Sequence, residues 1–292
     1  MESGLGLGGA KARTGWGNML SIGWFSTGRG EGSQGLLRFV QERILQGSLD
    51  AQIEFVFSNR ERGEAEGSDQ YFRLVEDYGI HLETLSSAKF RKGKRGPFAQ
   101  HREEYDALVM GRVNVFQPDV CVLAGYMLIV GGKMCRRFSL LNLHPALPDG
   151  PTGTWQEVIW SLIENRAEQT GAMVHLATED VDRGPVISYC TVPITGGEFA
   201  PHWSGLAGQD LKTVRESQGE EFPLFQLIRQ AEYRKEPYLL AETLRAVVDG
   251  KVVIEDGQVL DSSGQPLAAT APGGLMLDLE IDHEIDRVMA RG

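Results

Sequence analysis

An amide and an imidazole lie two residues apart in Leu141-Asn142-Leu143-His144-Pro145, at the end of an apolar run. Side chains two apart in an extended strand face the same way. Asn142 and His144 therefore look out together from the point where a strand over residues 139–143 should stop. An amide can polarise a carbonyl, and an imidazole titrating near neutral pH can move a proton. Farther along, Asp180-Val181-Asp182-Arg183-Gly184-Pro185 places a carboxylate in a turn. Asn142 alone reads as a turn or cap, and His144 alone as a structural histidine. An amide, an imidazole and the Asp182 carboxylate converging on one point suggest acyl or formyl transfer.

For those groups to meet, the chain must present them at one edge of a sheet. Apolar runs at 19–25, 53–57, 80–85, 120–124, 139–143, 172–177 and 185–192 read as strands, and 35–46, 68–78, 102–116, 131–138 and 154–166 as helices. This alternation predicts an α/β fold: a Rossmann-like, mostly parallel twisted sheet with helices on both faces. Ligands of such sheets sit outside the carboxyl ends of the strands. Asn142, the glycine-rich loop at 28–34 and Gly125-Tyr126-Met127 all fall at such ends. Residues 89–100, basic with Gly and Pro, predict a mobile loop, and 195–220 a loop or linker. Residues 222–249 predict a helical stretch broken near Pro237, and 252–260 a hairpin turning at Asp256-Gly257. Residues 268–274 predict a flexible segment, and 277–289 a short acidic helix. The expected division is a flexible tail over 1–18, an α/β core over 19–195, a loop, helix and hairpin completing the domain over 196–262, and a C-terminal extension over 263–292.

The 292 residues carry a net charge of −11, and 41% are apolar. That apolar content can build a sizeable core. The acidic balance argues against a nucleic-acid or membrane-surface binder, which needs a basic face. No apolar run is long enough to span a bilayer, and residues 1–17 lack the apolar core of a secretory signal. Cys121, Cys135 and Cys190 fit no zinc spacing. Reduced, buried thiols in a cytoplasmic protein without a metal are expected. The 28–34 loop follows a strand and opens a helix, an arrangement whose backbone N–H groups favour a phosphate. A tight strand–helix turn explains the same glycines nearly as well.

Together these motifs resemble the folate-dependent formyltransferase family. The resemblance runs over residues 19–261 and is carried by Asn142-Leu143-His144-Pro145, Phe57-Ser58-Asn59-Arg60, Arg102-Glu103-Glu104-Tyr105-Asp106, Leu123-Ala124-Gly125-Tyr126-Met127, Thr170-Gly171-Ala172-Met173-Val174-His175 and the turn from Asp180 to Pro185. Within the family it is nearest to the enzymes that formylate glycinamide ribonucleotide. The resemblance implies transfer of a formyl group from 10-formyltetrahydrofolate, the co-substrate, to a primary amine, glycinamide ribonucleotide in purine biosynthesis. It implies that Asn142 donates to the formyl oxygen, His144 handles protons, and Asp182 holds the charge state of the histidine and an ordered water. Asp180 competes for that role; Asp182 is favoured because it precedes the x-Gly-Pro turn. His175, by itself a buried structural histidine, would support the site from behind.

The same resemblance implies that Tyr126, Met127, Leu128, Ile129 and Val130 line the pterin pocket, with Thr178 and Asp180. Gly30, Gly32, Ser33 and Gln34 would hold the substrate phosphate, and Arg102 would face an anionic group. The implied partners are small molecules, folate and a phosphorylated amine, with no nucleic acid and no membrane; a homodimer stays open. Three departures stand out. Leu128 replaces a usual basic residue. The loop over 148–154 is longer and less basic. Gln218-Gly219 stands where the ribonucleotide enzymes carry Glu-His before an aromatic–Pro pair, with Glu216, Glu220 and Glu221 as the nearby acids. The last two lie on the acceptor side. The alternatives are therefore an amino sugar or another amine as acceptor, or hydrolysis of 10-formyltetrahydrofolate. A non-catalytic binding protein has no need of the triad.

Overall fold

The computed structural model describes residues 19–267 and 273–290; the tail expected over 1–18 and residues 268–272 of the segment expected to be flexible lie outside the described residues. Among the described residues the strands are β1 (Leu20–Phe25), β2 (Ala51–Ser58), β3 (His81–Thr84), β4 (Val120–Leu123), β5 (Leu140–His144), β6 (Gln169–Leu176), β7 (Val186–Pro193), β8 (Val252–Glu255), β9 (Gln258–Asp261) and β10 (Leu275–Met276). The helices are α1 (Glu31–Leu45), α2 (Glu66–Asp77), α3 (Ser87–Arg91), α4 (Arg102–Arg112), α5 (Gly132–Arg137), α6 (Trp155–Glu164), α7 (Ala200–Gly205), α8 (Leu211–Gln218), α9 (Pro223–Val248) and α10 (Asp278–Met289).

Eight strands form one sheet in the order β10-β7-β6-β5-β4-β1-β2-β3, and β8-β9 is a separate hairpin. Five of the seven pairings in the large sheet are parallel. β6 runs antiparallel to both its neighbours, β5 and β7. The central strands β1 and β4 are buried almost throughout, as a sheet covered on both faces requires. One face packs Ile22, Trp24 and Val122 against Leu37 and Val40 of α1 and Leu239, Leu240 and Leu244 of α9. The other packs Phe25, Phe55 and Cys121 against Tyr105 of α4 and Met134 of α5. A third cluster joins Val158 and Ile159 of α6 to Phe225 and Ile228 of α9.

Several segments depart from the pattern in the sequence, and packing explains each. α1 starts at Glu31 with Gly30 as its extended N-cap, so Gly32, Ser33 and Gln34 lie in a first helical turn, not a loop. Gly32 and Gly35 weaken local helix propensity, but the buried stripe Leu36, Leu37 and Val40 carries the helix past them. The basic stretch expected as a mobile loop contains α3, capped by Ser86, whose hydroxyl accepts from Lys89 N–H at 3.0 Å. The stretch expected as a linker holds α7 and α8. Phe199, Leu206 and Val214 are buried there, and the Asp210 carboxylate caps α8. α9 continues through Pro237 without a break. Proline there removes one N–H, and the core contacts of Leu239, Leu240 and Leu244 outweigh that loss.

The C-terminal segment belongs to the sheet and its cover. β10 adds a parallel edge to β7. The Asp278 carboxylate accepts from Thr191 N–H (2.9 Å) and Oγ1 (2.6 Å), and Leu277 and Ile281 are buried in the same cluster as α1 and α9. Arg43 of α1 reaches Glu284 of α10 at 3.3 Å. Ile281→Ala should therefore lower the free energy of unfolding by roughly 2–4 kcal/mol, as for other buried large-to-small changes. Urea unfolding followed by circular dichroism should show that loss in one transition. A separate early transition would mean that α10 melts independently of the core.

Candidate active site

β5 carries Asn142 and His144 to the carboxyl edge of the parallel strands, where Asn142 pairs with Leu123 at the end of β4. Because β6 is antiparallel, His175 lies directly opposite Asn142. The register of β6 against β7 shifts between Val174 and His175, a bulge that re-aims side chains at that point. The connection then doubles back tightly: Leu176 N–H donates to the Pro185 carbonyl at 2.9 Å. A Cβ on Gly184 would stand 1.7 Å from the Leu176 carbonyl oxygen, so only glycine lets the chain pass. This return lays Asp182 over β6 with φ of 58°. Aspartate tolerates that left-handed conformation better than most residues, and such strain persists where the surroundings over-determine it.

The carboxylate Oδ1 of Asp182 lies at the meeting point. It is 3.4 Å from Asn142 Nδ2, 3.7 Å from His144 Nδ1 and 3.8 Å from His175 Nε2. Asn142 Nδ2 donates to His175 Nε2 at 3.0 Å, and His175 Nδ1–H donates to the Leu176 carbonyl at 3.2 Å. His144 Nε2–H donates to the Pro151 carbonyl at 3.2 Å. His144 and His175 are buried, at 3% and 1% exposure. Burial holds the His144 pKa below its ordinary value, although Asp182 and the Pro151 carbonyl act the other way. For Asp182, burial pushes the carboxyl up, but the neighbouring imidazoles of His175 and His144 outweigh it and hold its pKa below the usual range. Asp180, the competing carboxylate, is exposed, and its backbone carbonyl accepts from Thr178 Oγ1 at 3.1 Å.

The glycine-rich loop meets the Tyr126–Val130 segment through the backbone. Thr27 N–H donates to the Gly125 carbonyl at 3.0 Å, and Met127 N–H donates to Thr27 Oγ1 at 2.9 Å. Gly28 has φ of 64°, and a Cβ there would press into the Tyr71 ring. Arg29 and Gly30 are exposed in front of the first turn of α1, and the Ser33 hydroxyl faces Gly125. In the 126–130 segment Tyr126 and Val130 turn into the core, whereas Met127 and Ile129 are 60% and 47% exposed; Leu128 is intermediate. Arg102 opens α4 beside Asp106, whose carboxylate accepts from Gly131 N–H at 2.6 Å. Thr178 and Asp180 line a cavity of about 650 Å³ with Cys135, Phe138 and Ala177. Asn142, His144 and Asp182 are not part of its lining. No group of three His, Cys, Asp or Glu among the described residues is placed to hold a metal.

Two groups of functional interest escaped the sequence. Thr27 Oγ1 donates to Asn59 Oδ1 at 2.8 Å, which ties the glycine loop to the end of β2; Phe57-Ser58-Asn59-Arg60 was the signal. On α9, Arg229 pairs with Glu236, lies 5.1 Å from the Trp155 ring and 5.2 Å from the Tyr233 ring, and Tyr233 packs on Gly32 and Gly35 of α1. The negative charge of Glu236 also acts on His144. A helix expected to break at Pro237 gave no hint of this cluster. Of the acids near 218, Glu216 faces Lys212, Glu221 accepts from Gln226, and Glu220 accepts from Gln156 in the first turn of α6.

Residues 29–200 match the family model described as formyl transferase. The phosphoribosylglycinamide formyltransferase of Escherichia coli (strain K12) is 29% identical over 174 residues, which is 59% of this chain and 72% of that enzyme. Among solved structures, glycinamide ribonucleotide transformylase 1 from Symbiobacterium toebii superposes with a TM-score of 0.59 at 23% identity, covering 82% of this chain and 93% of that one. A formyltetrahydrofolate deformylase from Burkholderia mallei ATCC 23344 superposes with a TM-score of 0.58 at 15% identity, covering 84% and 70%. At such identities the structural likenesses establish the fold and not the reaction.

The two shifted groups make a pH prediction with one sign. Folded His144 and folded Asp182 both release their protons at lower pH than in the unfolded chain. On acidification the unfolded state therefore binds more protons, and stability falls. The melting temperature should hold above the ordinary histidine value of about 6.5, decline below it, and decline again through the carboxylate range. Asp182→Asn removes a charge that favours protonated His144, so His144 should titrate at a lower pH in that variant. An NMR titration showing an unchanged or higher His144 pKa would mean that the carboxylate and imidazole are not coupled.

Proposed function

The chain belongs to the formyl transferase family, and from that premise we propose that it moves a formyl group from 10-formyltetrahydrofolate to the primary amine of glycinamide ribonucleotide. The observation that carries this reading is the convergence of Asn142, His144 and His175 on Asp182 Oδ1. In the reaction the amine nitrogen attacks the formyl carbon and an oxyanion forms. The bond from that carbon to the folate nitrogen then breaks, the amine loses a proton and the folate nitrogen gains one. Asn142 Nδ2 has two hydrogens. One is held by His175 at 3.0 Å; the other faces Asp182 at a looser 3.4 Å and is free to turn to the oxyanion. A preorganised donor at that point is worth roughly 3–4 kcal/mol. With Nε2 donating to Pro151, the free basic atom of His144 is Nδ1, 3.7 Å from Asp182. An imidazolium formed there is paired with a carboxylate as soon as it appears.

The phosphorylated acceptor is supported by the order strand, glycine loop, helix, which aims first-turn N–H groups of α1 at one anion beside the exposed Arg29. The relatives named for glycinamide ribonucleotide support the same acceptor. A second reading, another primary amine at the same donor site, is favoured by exposed Gln218 at the end of α8, where the ribonucleotide enzymes carry a glutamate. On the first reading Glu220, bonded to Gln156, is the acid that takes the ribose-side role.

His144→Ala or Asp182→Asn should lower kcat by roughly 10²–10⁴-fold with an unchanged circular dichroism spectrum. Asn142→Ala should depress kcat by about 10²–10³-fold, well beyond its effect on the KM of the folate. An effect confined to KM would reduce Asn142 to a ground-state contact. The acceptor is tested by steady-state formylation of glycinamide ribonucleotide, its dephosphorylated form and a panel of amino sugars. Turnover should be fastest with the ribonucleotide and fall sharply without its phosphate. Good turnover on another amine with none on the ribonucleotide would establish the second reading instead.

A further inference from the structure

Thr27 takes no part in the chemistry above, yet every polar group it has is engaged. It lies two residues beyond the end of β1 and is 2% exposed. Its N–H donates to the Gly125 carbonyl at 3.0 Å, and its carbonyl accepts from Ser68 Oγ of α2 at 3.3 Å. Its hydroxyl donates to Asn59 Oδ1 at 2.8 Å and accepts from Met127 N–H at 2.9 Å. The Asn59 amide is oriented in turn, because its Nδ2 donates to Ser87 Oγ at 3.1 Å. The direction of the relay is thereby fixed. An amide oxygen can only accept, so the hydroxyl hydrogen points to Asn59 and the lone pairs are left for Met127.

The bond to Met127 matters because that backbone has no regular pairing of its own. Residues 126–130, assigned above to the folate, are neither helix nor strand. The far end is tied at Gly131, whose N–H donates to the buried Asp106 carboxylate at 2.6 Å. The near end rests on Thr27. Thr27 is also the root of the glycine loop that leads to the first turn of α1, assigned above to the acceptor phosphate. Gly28 follows it with φ of 64°, and a Cβ there would stand 2.7 Å from the Tyr71 ring, so α2 fixes the root of the loop. On the other side, a Cβ on Gly125 would stand 2.7 Å from Ser33 Oγ, so the first turn of α1 lies directly against the start of the folate segment. One buried residue therefore sits where the two substrate-binding segments join.

We propose that Thr27 is a positioning residue whose hydroxyl sets the register between these two segments, and so the distance between the amine held over the glycine loop and the formyl carbon held over residues 126–130. This rests on the donor and acceptor placements argued above, and it adds no contact to either substrate. Without the bond to Met127 each ligand would still find its own segment; only their relative placement would change. In a transfer between two bound molecules that placement governs the rate, and an error of about 1 Å can cost about 10²-fold. Valine has the shape of threonine without the hydroxyl, and would leave Met127 N–H and Asn59 Oδ1 without their partner. Serine keeps the hydroxyl and drops only the methyl.

The test is steady-state formylation by the full chain as wild type, Thr27→Val and Thr27→Ser, with 10-formyltetrahydrofolate and glycinamide ribonucleotide varied in turn. If the wild type prefers another amine, that amine serves as the acceptor. Thr27→Val should lower kcat about 10- to 100-fold while each KM stays within about threefold, and Thr27→Ser should return kcat to within about threefold of the wild type. A lower melting temperature with kcat intact would make Thr27 a structural residue and overturn the proposal. So would a rise in one KM with kcat unchanged, which assigns Thr27 to a single pocket, or a Thr27→Ser variant as slow as Thr27→Val. Should Thr27→Val not fold, hydrogen exchange at Met127 of the wild type decides. That amide should exchange at least about 100-fold more slowly than in an unstructured chain, and more slowly again with the acceptor bound. Exchange at the unstructured rate, or exchange indifferent to the acceptor, sinks the proposal. A wild type that formylates no amine removes the transfer reading itself, and that is read before any variant is compared.

Discussion

One partly buried carboxylate organises the site. Asp182 Oδ1 lies between an amide and two imidazoles, and a charge withdrawn from water survives only when it is paired or hydrogen-bonded. Two features of the fold meet that requirement. The reversal of β6 sets His175 across from Asn142. The missing side chain at Gly184 lets the following turn close onto the Leu176 carbonyl and hold Asp182 above them. A parallel β6 would have sent His175 elsewhere, and a side chain at 184 would have pushed the carboxylate out.

The electrostatics follow from the same arrangement. Burial favours neutral His144, and neutral imidazole is the form that accepts a proton. Asp182 stays ionised, so the proton that His144 gains is stabilised once it arrives. A base resting as free base beside a fixed counter-charge suits proton movement from an attacking amine to a departing nitrogen. His175 belongs to this arrangement as the residue that orients Asn142, because its Nε2 accepts one amide hydrogen and its Nδ1 is committed to Leu176.

Much of this was legible in the sequence, for physical reasons. Strands buried on both faces leave uninterrupted apolar runs, and the two-residue spacing of Asn142 and His144 states that they share a face. The turn residues Gly184 and Pro185 advertised where Asp182 would return. Elements that owe their existence to distant packing were not legible. α7 and α8 depend on Phe199, Leu206 and Val214 finding a core supplied by α6 and α9. The first turn of α1 forms through glycines because Leu36 and Leu37 are buried. Pro237 marks a break in isolation, yet α9 continues through it because Leu239, Leu240 and Leu244 pack into a core built by residues far away in sequence.

That unbroken α9 also carries a polar cluster that only a continuous helix could assemble. Thr170 Oγ1 donates to Glu232 Oε1 at 2.7 Å, and burial pushes the Glu232 carboxyl up to about 8, so at neutral pH it rests protonated while Arg229 pairs with Glu236. Arg229 then lies near the rings of Trp155 and Tyr233, one on the helix that follows the His144 loop and the other against the start of α1. A wall built from interlocked charges and rings is stiff, since moving one member exposes or orphans another. A long helix thereby imports an interlocked polar cluster beside the first turn of α1 and the helix after the His144 loop. Asn142, His144 and His175 come instead from the strands themselves, and their meeting point is set by backbone pairing and not by helix packing.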